Sequence, residues 1–214
     1  LQVCQNEYAF IAGRMPEVAF SNIWIAQIMG DKIPANSYVH FGIFNSLRSW
    51  NFAQLPSNVY PICNVGGFGI DGTLSTVLGA SLAYPQKLHF VILGDLAFFY
   101  DMNSLGNRYV RNNIRILLVN NGRGTEFRKY DHPCAKFGEN ADPYMAAAGH
   151  FGCQSKTLVK DYVNNLGFDY LTASSKEEFL EVYKKFVDPC LLNAPVVFEV
   201  FTNSKDESDA INAY

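Results

Sequence analysis

The chain has 214 residues, of which 49% are hydrophobic and 17% are charged, and this composition indicates a globular protein and excludes a disordered chain or a coiled coil. Its net charge of −3, without a block of Lys or Arg, argues against nucleic acid or an anionic membrane as the main partner. No apolar run approaches the roughly 18 residues of a membrane span and no signal peptide is evident, so we expect a cytoplasmic protein. The five cysteines are widely spaced without a CxxC pattern, which predicts reduced thiols.

Short apolar segments alternate along the chain with amphipathic ones. The first helix is predicted where apolar residues share one face between residues 20 and 28, and Gly30-Asp31 ends it. Strands are predicted, in chain order, at 38–41, 59–63, 88–93, 114–119, 168–172 and 196–201. Further helices are predicted at 45–52, 73–83, 99–110, 143–151, 156–166 and 176–186.

The strands at 88–93 and 114–119 are continuous apolar runs without alternation. Such runs are typical of strands that are buried on both faces in a parallel sheet. The sequence therefore predicts an α/β domain with a doubly wound, mostly parallel sheet and helices on both faces. In this architecture the ligand site lies beyond the carboxyl ends of the strands.

Two of these strand ends carry side chains suited to a cation. Asp95 follows one strand, and Asn120-Asn121-Gly122 follows the next strand along the chain, one crossover later. A carboxylate, an amide oxygen and a backbone carbonyl would suit Mg²⁺, which completes its shell with phosphate oxygens and water. A helix beginning near Ala97 would direct its free N–H groups at that phosphate. Taken singly, Asp95 is better explained as a helix cap and the Asn-Asn-Gly segment as a turn, and only the pair, one crossover apart, favours the cation site.

The segment GDLAFFYDMNSLGNRYVRNNIRILLVNNG resembles the thiamine-diphosphate motif, in which Gly-Asp is followed some 25 residues later by Asn-Asn. Its pattern GDLxFxYDxNSL, and the segment NVGGFGIDGTLSTVLGASLA, resemble the menaquinone-pathway 2-succinyl-5-enolpyruvyl-6-hydroxy-3-cyclohexene-1-carboxylate synthases. The end of the chain, VVFEVFTNSKDESDAIN, is similar to the last strand and tail of that family. The resemblance runs from about Tyr38 to the end of the chain and is strongest over residues 64–122.

The resemblance implies a binding domain for thiamine diphosphate and Mg²⁺. Its implied metal ligands are Asp95, the side chain of Asn121 and the backbone carbonyl of Arg123, although a loop one residue shorter than the family's leaves Asn120 open as well. Ile70 matches the apolar residue that holds thiamine in its V shape. The residues assigned to the cofactor are Gly66, Gly67, Gly69, Ile70, Gly94, Asp95, Leu96, Ala97 and Asn121.

The activity that the resemblance implies is decarboxylation of a 2-oxo acid, with or without ligation of the product to an acceptor. Val65 and Trp50 stand where the menaquinone-pathway family has arginines that bind substrate carboxylates, which favours a different acceptor. The implied enzyme is similar either to these menaquinone-pathway synthases or to acetolactate synthase. Ser46, Arg48 and Arg128 are the assigned substrate contacts. His40, near the end of a predicted strand, is a further candidate for the edge of the site.

In this superfamily a glutamate from a separate pyrimidine-binding domain activates the cofactor, and this chain offers no candidate for it. We therefore expect no catalytic residue in the chain, no turnover by the chain alone, and a homodimer or homotetramer with a pyrimidine-binding domain or subunit. Residues 1–30 are interpreted as a linker remnant with the first helix, and residues 31–214 as the cofactor-binding domain. The start at Leu1 favours an excised C-terminal domain, with a naturally separate subunit as the alternative.

Two other classes of protein stay open. Gly67, Gly69 and Gly72 fit the G-x-G-x-x-G pattern, and Asp95 follows Gly72 by 23 residues, as in a Rossmann domain of an NAD(P)-dependent dehydrogenase. That hypothesis leaves the Asn120-Asn121-Gly122 segment unexplained. The third class is a non-catalytic assembly domain of the same fold.

Overall fold

The computed structural model describes residues 1–125, 132–149 and 154–214. Within these residues six parallel strands form one sheet in the order β2-β1-β3-β4-β6-β5. The strands are β1 (Tyr38–Phe41), β2 (Tyr60–Cys63), β3 (His89–Gly94), β4 (Ile114–Asn120), β5 (Asp169–Ala173) and β6 (Val196–Phe201). The predicted doubly wound α/β fold is thereby confirmed.

Helices connect the strands and cover the sheet. The α-helices are α1 (Gln2–Ala12), α2 (Asn22–Met29), α3 (Asn45–Trp50), α4 (Thr73–Ala83), α5 (Asp95–Asp101), α6 (Leu158–Asn165), α7 (Lys176–Phe186) and α8 (Ser204–Asn212). Short 3-10 helices lie at Gly30–Lys32, Met102–Gly106 and Ala146–Ala148, and two 3-10 segments separated by a kink at Gly138 span Pro133–Tyr144. In the described parts of the chain, no helix combines the length and the apolar character needed to cross a membrane.

Both faces of the sheet are buried, which explains the continuous apolar strands. In β3, Phe90 and Ile92 join one hydrophobic cluster, while Val91 and Leu93 join the other. The first cluster includes residues of α2, α7 and α8, and the second includes residues of α4, α5 and α6. Because the residues of β3 alternate between two cores, every position in the centre of this strand is apolar.

Several predicted helices differ from the observed ones. The helix predicted at 99–110 begins at Asp95 and gives way to the 3-10 turn Met102–Gly106, after which the Asn107 side chain accepts a hydrogen bond from the Tyr109 N–H in a local turn. The helix predicted at 143–151 was wrong over residues 143–149, where 3-10 segments around Pro143 replace it, and residues 150–151 lie outside the described residues. Neither α1 nor α8 was predicted, because α1 buries no residue and α8 buries only Glu207 and Ala210.

Helix α2 is part of the main core, although the sequence-based division grouped it with the linker remnant in residues 1–30. Ile23, Ile25 and Met29 are completely buried, and Trp24 packs edge-on against Phe179 with ring centroids 5.6 Å apart. The proposed boundary at residue 30 stays a prediction. In the folded chain, however, residues 22–29 pack against the same sheet as the residues that follow them.

A pair of substitutions measures how much α2 contributes. Ile23→Ala removes methyl groups from a fully buried site, and we expect it to lower the free energy of unfolding by about 2–5 kcal/mol. Val3→Ala in α1 removes methyl groups from a side chain that is 72% exposed and should change that energy by less than about 0.5 kcal/mol. Urea unfolding of both variants tests this, and equal effects would contradict the packing described for α2.

Candidate functional site

A cavity of about 620 Å³ lies at the carboxyl ends of the central strands. Its walls include Phe44 beyond β1, Asp95 beyond β3 and Asn121 beyond β4. In the sheet, β2 lies next to β1 on one side and β3 lies next to β1 on the other, so the strand order changes direction between β1 and β3. Ligands of doubly wound folds bind at such a change of direction.

Asp95 is the acidic residue at this sheet edge. It begins α5 directly after β3, is only 2% exposed, and accepts a hydrogen bond from the N–H of Leu96 at 3.0 Å. β3 and β4 are neighbours in parallel register, with Gly94 opposite Val119. The expected meeting of the two strand ends is therefore present in the structure.

The two asparagines after β4 differ in direction. The Asn120 side chain donates to Glu199 Oε1 at 2.7 Å and accepts from the Gly122 N–H at 3.2 Å, whereas Asn121 lines the cavity. Asn121 Oδ1 accepts from the Arg123 N–H at 3.1 Å. Gly122 has φ +83°, a left-handed conformation that glycine adopts without strain. Of the two asparagines, Asn121 is thus the one that could reach a ligand in the cavity.

The remaining predicted residues fall into two groups. The cavity is lined by Ser46, Gly69, Ile70, Gly94, Leu96, Ala97 and Arg123 as well as by Asp95 and Asn121. Gly66, Gly67 and Arg48 are outside its lining, and the Arg48 guanidinium lies 6.0 Å from the centroid of the Phe44 ring. Arg128 lies outside the described residues.

Two further polar residues of the cavity lining were not predicted from the sequence. Asn22 and Asn45 line the cavity, and both bind the fully buried carboxylate of Glu207, the Asn22 N–H at 2.9 Å and the Asn45 side chain at 3.2 Å. These contacts join residues 185 and 162 positions apart, so no local pattern indicates them. Glu199 was also missed, although a single charge inside the apolar strand VVFEVF is a signal that could have identified it.

The oxygen atoms at the cavity suit a hard cation with phosphate ligands. Across the described ranges, no group of three or more His, Cys, Asp or Glu side chains is arranged to hold a metal ion. The available donors are instead mixed: the Asp95 carboxylate, the Asn121 amide and the backbone near Arg123. Magnesium uses few protein oxygens when a phosphate supplies others, so these residues fit a diphosphate-bound magnesium ion.

The strand order argues against a Rossmann dinucleotide site. The glycine-rich turn follows β2 and Asp95 follows β3, but β1 lies between these two strands. In a Rossmann unit the phosphate-binding turn and the ribose-binding acid follow adjacent strands. The G-x-G-x-x-G pattern of this chain is therefore not in the position of a Rossmann phosphate-binding turn relative to Asp95.

His40 lies within the sheet and not in the cavity lining. It is 3% exposed, and its ring centroid is 6.1 Å from that of His89 on the neighbouring strand β3. Burial, together with the charge of His89, lowers the pKa of His40 to about 4. The imidazole is therefore a neutral part of the core, which does not support a role at the edge of the site.

The fold matches that of a solved thiamine-diphosphate enzyme. The Rhodococcus jostii thiamine diphosphate-dependent 4-hydroxybenzoylformate decarboxylase superposes on 88% of this chain, and on 33% of its own, with a TM-score of 0.65 and 17% sequence identity. At that identity the match shows the fold alone. No protein-family model matches the sequence.

Sequence comparison gives the same class of protein. By fold and sequence, the chain belongs to the superfamily of thiamine-diphosphate-dependent enzymes. Within it, the chain is similar to 2-succinyl-5-enolpyruvyl-6-hydroxy-3-cyclohexene-1-carboxylate synthases. It is 34% identical, over 93% of its length, to the synthases of Bacteroides fragilis and Bacteroides thetaiotaomicron. It is 33% identical, over 80% of its length, to the synthase of Desulfotalea psychrophila. It spans about a third of the length of these relatives, 34%, 34% and 30% respectively.

The buried imidazole of His40 makes stability depend on pH. Its pKa falls from 6.5 to about 4 on folding, so the unfolded chain takes up the proton first as the pH decreases. The contribution of His40 to the free energy of unfolding is complete above about pH 7, and about 2 kcal/mol of it should be lost by pH 5. Urea unfolding of the wild type and His40→Gln at both pH values measures this difference. An identical loss of stability in the variant would contradict the assignment.

Proposed function

We propose that this chain is the diphosphate- and metal-binding domain of an enzyme that uses thiamine diphosphate to decarboxylate a 2-oxo acid, as a decarboxylase or as a carboligase. The observation that carries the proposal is the meeting of Asp95 and Asn121 in one cavity at the ends of β3 and β4. The similarity to the synthases and to a thiamine-diphosphate-dependent decarboxylase supports it.

In this proposal Mg²⁺ binds Asp95, the Asn121 side chain and the backbone carbonyl of Arg123, and the diphosphate lies beside the first turn of α5. Gly94, Leu96 and Ala97 line that part of the cavity. Ile70 also lines the cavity while it packs against the hydrophobic core, so it offers a fixed apolar support for the cofactor rings. When bound, thiamine diphosphate supplies the electron sink that decarboxylation of a 2-oxo acid requires.

The substrate end of the cavity combines aromatic side chains with a few polar groups. Phe44, Phe68 and Tyr100 line it, together with the hydroxyl-bearing Ser46. Trp50 is 3% exposed and donates its indole N–H to Asn22 Oδ1 at 3.0 Å, so it supports the wall and cannot bind a carboxylate as an arginine would. This favours an acceptor that differs from that of the synthases. Contacts of Arg48 and Arg128 with the substrate stay predictions.

The activating glutamate is proposed to come from a pyrimidine-binding domain or subunit, in a homodimer or homotetramer. Among the described residues, the carboxylates that line the cavity are Asp71 and Asp95, and no glutamate does so. Asp95 is assigned to the metal. A partner that brings a glutamate to the open side of the cavity would complete the site.

Cofactor binding tests the proposal directly. We expect thiamine diphosphate with Mg²⁺, at a hundredfold excess over its Kd, to raise the melting temperature of the chain by about 5–10 °C, and NAD to leave it unchanged. Asp95→Ala should abolish the shift because it removes the charged metal ligand. Asp161→Ala, which removes an exposed carboxylate on α6, is the control. A shift with NAD alone would support the dehydrogenase hypothesis, and no shift of the wild type with either ligand would favour a non-catalytic domain. An Asp95→Ala variant that binds normally would contradict the assignment of Asp95 to the metal.

Turnover provides a second test. The chain saturated with thiamine diphosphate and Mg²⁺ should release no CO₂ from pyruvate or benzoylformate, because the described cavity lining contains no glutamate to activate the cofactor. Carbon dioxide release by the purified chain at rates of about 1 s⁻¹ or more, typical of enzymes, would show that no partner domain is needed.

A further inference from the structure

Glu199 is a carboxylate in the middle of the sheet. It lies on β6, is completely buried, and is surrounded along the strand by the apolar residues Phe198 and Val200. Burying a carboxylate costs free energy unless hydrogen bonds replace its lost hydration. An apolar residue would fill this position at lower cost, so the contacts of Glu199 indicate what the carboxylate is there to do.

Both oxygens of Glu199 are hydrogen-bonded. The Tyr170 hydroxyl on β5 donates to Oε2 at 2.7 Å, and the Asn120 side chain at the end of β4 donates to Oε1 at 2.7 Å. Asn120 Oδ1 in turn accepts from the N–H of Gly122 at 3.2 Å. A chain of hydrogen bonds thus runs across β5, β6 and β4 and ends in the backbone of the turn that carries Asn121.

This chain of hydrogen bonds fixes the direction of the Asn120 amide. With its NH₂ group bound to Glu199, Asn120 presents its oxygen to Gly122 and stays out of the cavity lining, while Asn121 lines the cavity. Gln154 holds the backbone of the same turn by donating to the carbonyl oxygens of Asn120 at 3.0 Å and Thr202 at 2.7 Å. Glu199 therefore holds the turn through the Asn120 side chain, and Gln154 holds it through the Asn120 main-chain carbonyl.

The charge of Glu199 also acts near Asp95. Burial is the main cause that raises the pKa of Glu199, and the neighbouring Asp95 carboxylate adds to it. The hydrogen bonds from Asn120 and Tyr170 and the charge of Lys156 act in the opposite direction. Glu199 and Asp95 are thus electrostatic neighbours at this edge of the sheet, whereas the direct contact of Glu199 with the turn after β4 is its hydrogen bond with Asn120.

We propose that Glu199 is a positioning residue for the metal site: through Asn120 it holds the turn 120–123 in the conformation that presents the Asn121 side chain and the Arg123 carbonyl to the cation. This inference rests on the proposed function, because it assumes that a metal binds at Asp95 and Asn121. In this proposal Glu199 contacts neither the metal nor the cofactor and acts through Asn120.

The test compares metal affinity with cofactor affinity in the full chain. We expect Glu199→Leu to weaken Mg²⁺ binding about tenfold or more when titrated calorimetrically at saturating thiamine diphosphate, as is usual for residues that orient metal ligands. Thiamine diphosphate affinity at saturating Mg²⁺ should stay within about twofold of the wild type, the range of independent effects. Glu199→Gln, which keeps the hydrogen bond to Asn120, should restore part of the Mg²⁺ affinity.

A double-mutant cycle tests whether Glu199 acts through Asn120. In an Asn120→Ala background, Glu199→Leu should weaken Mg²⁺ binding by no more than about twofold, because the connecting side chain is already absent. An equal effect in both backgrounds would overturn the positioning role and leave only a charge effect. Val197→Ala, on the same face of β6 and also fully buried, is the stability control: it should lower the melting temperature and leave Mg²⁺ affinity unchanged.

The outcomes separate the two proposals. If the wild type binds thiamine diphosphate with Mg²⁺ and Glu199→Leu binds Mg²⁺ as tightly, the positioning role is wrong and the proposed function stands. A wild-type chain that binds neither ligand refutes the proposed function, and the positioning role with it. Weakened Mg²⁺ binding in Val197→Ala equal to that in Glu199→Leu would also overturn the positioning role. Should Glu199→Leu not fold, Glu199→Gln carries the same comparison with a smaller expected loss.

Discussion

The parallel pairing of β3 with β4 is the constraint on which the candidate site depends. Six consecutive register pairs, from His89 with Ile114 to Gly94 with Val119, align the two strands up to their carboxyl ends. Both strands are buried on both faces, so a shift in register would move apolar side chains out of two cores at once. The positions of Asp95 and Asn121 are therefore set by packing in the interior of the sheet and not by the loops that carry them.

The two buried carboxylates near the end of the chain support opposite walls of the cavity without lining it. Glu199 on β6 binds Asn120 and so holds the turn after β4, while Glu207 on α8 binds Asn22 and Asn45 on the wall beyond β1. Each carboxylate accepts hydrogen bonds on both oxygens, which offsets much of the cost of its burial. Residues 196–214 thus contribute to the site through positioning, although none of them lines the cavity.

The sequence could predict those parts of the fold and site in which local pattern and tertiary structure agree. Each predicted strand lies within one residue of an observed one, and the central strands β3 and β4 were the clearest because their burial on both faces produces continuous apolar runs. The pair of Asp95 with the asparagines after β4 could be predicted because one crossover places their strands side by side. Helix α8 could not, since its packing depends on the buried Glu207 and not on an apolar stripe. The choice between Asn120 and Asn121 likewise depends on Glu199, 79 residues further along the chain.

The cavity joins the edge formed by the ends of β3 and β4 to a wall built on strained backbone. Phe44 and Phe68 have φ angles of +66° and +51°, both line the cavity, and their ring centroids are 6.3 Å apart. A left-handed conformation in an aromatic residue costs about 1–3 kcal/mol and persists only where surrounding contacts enforce it. Asp95 and Asn121, in contrast, extend directly from paired strands. A substitution in the aromatic wall would therefore alter the shape of the cavity without disturbing the strand ends that carry Asp95 and Asn121. The proposed metal ligands thus depend on the interior of the sheet, whereas the proposed substrate wall depends on the local conformation of two loop residues.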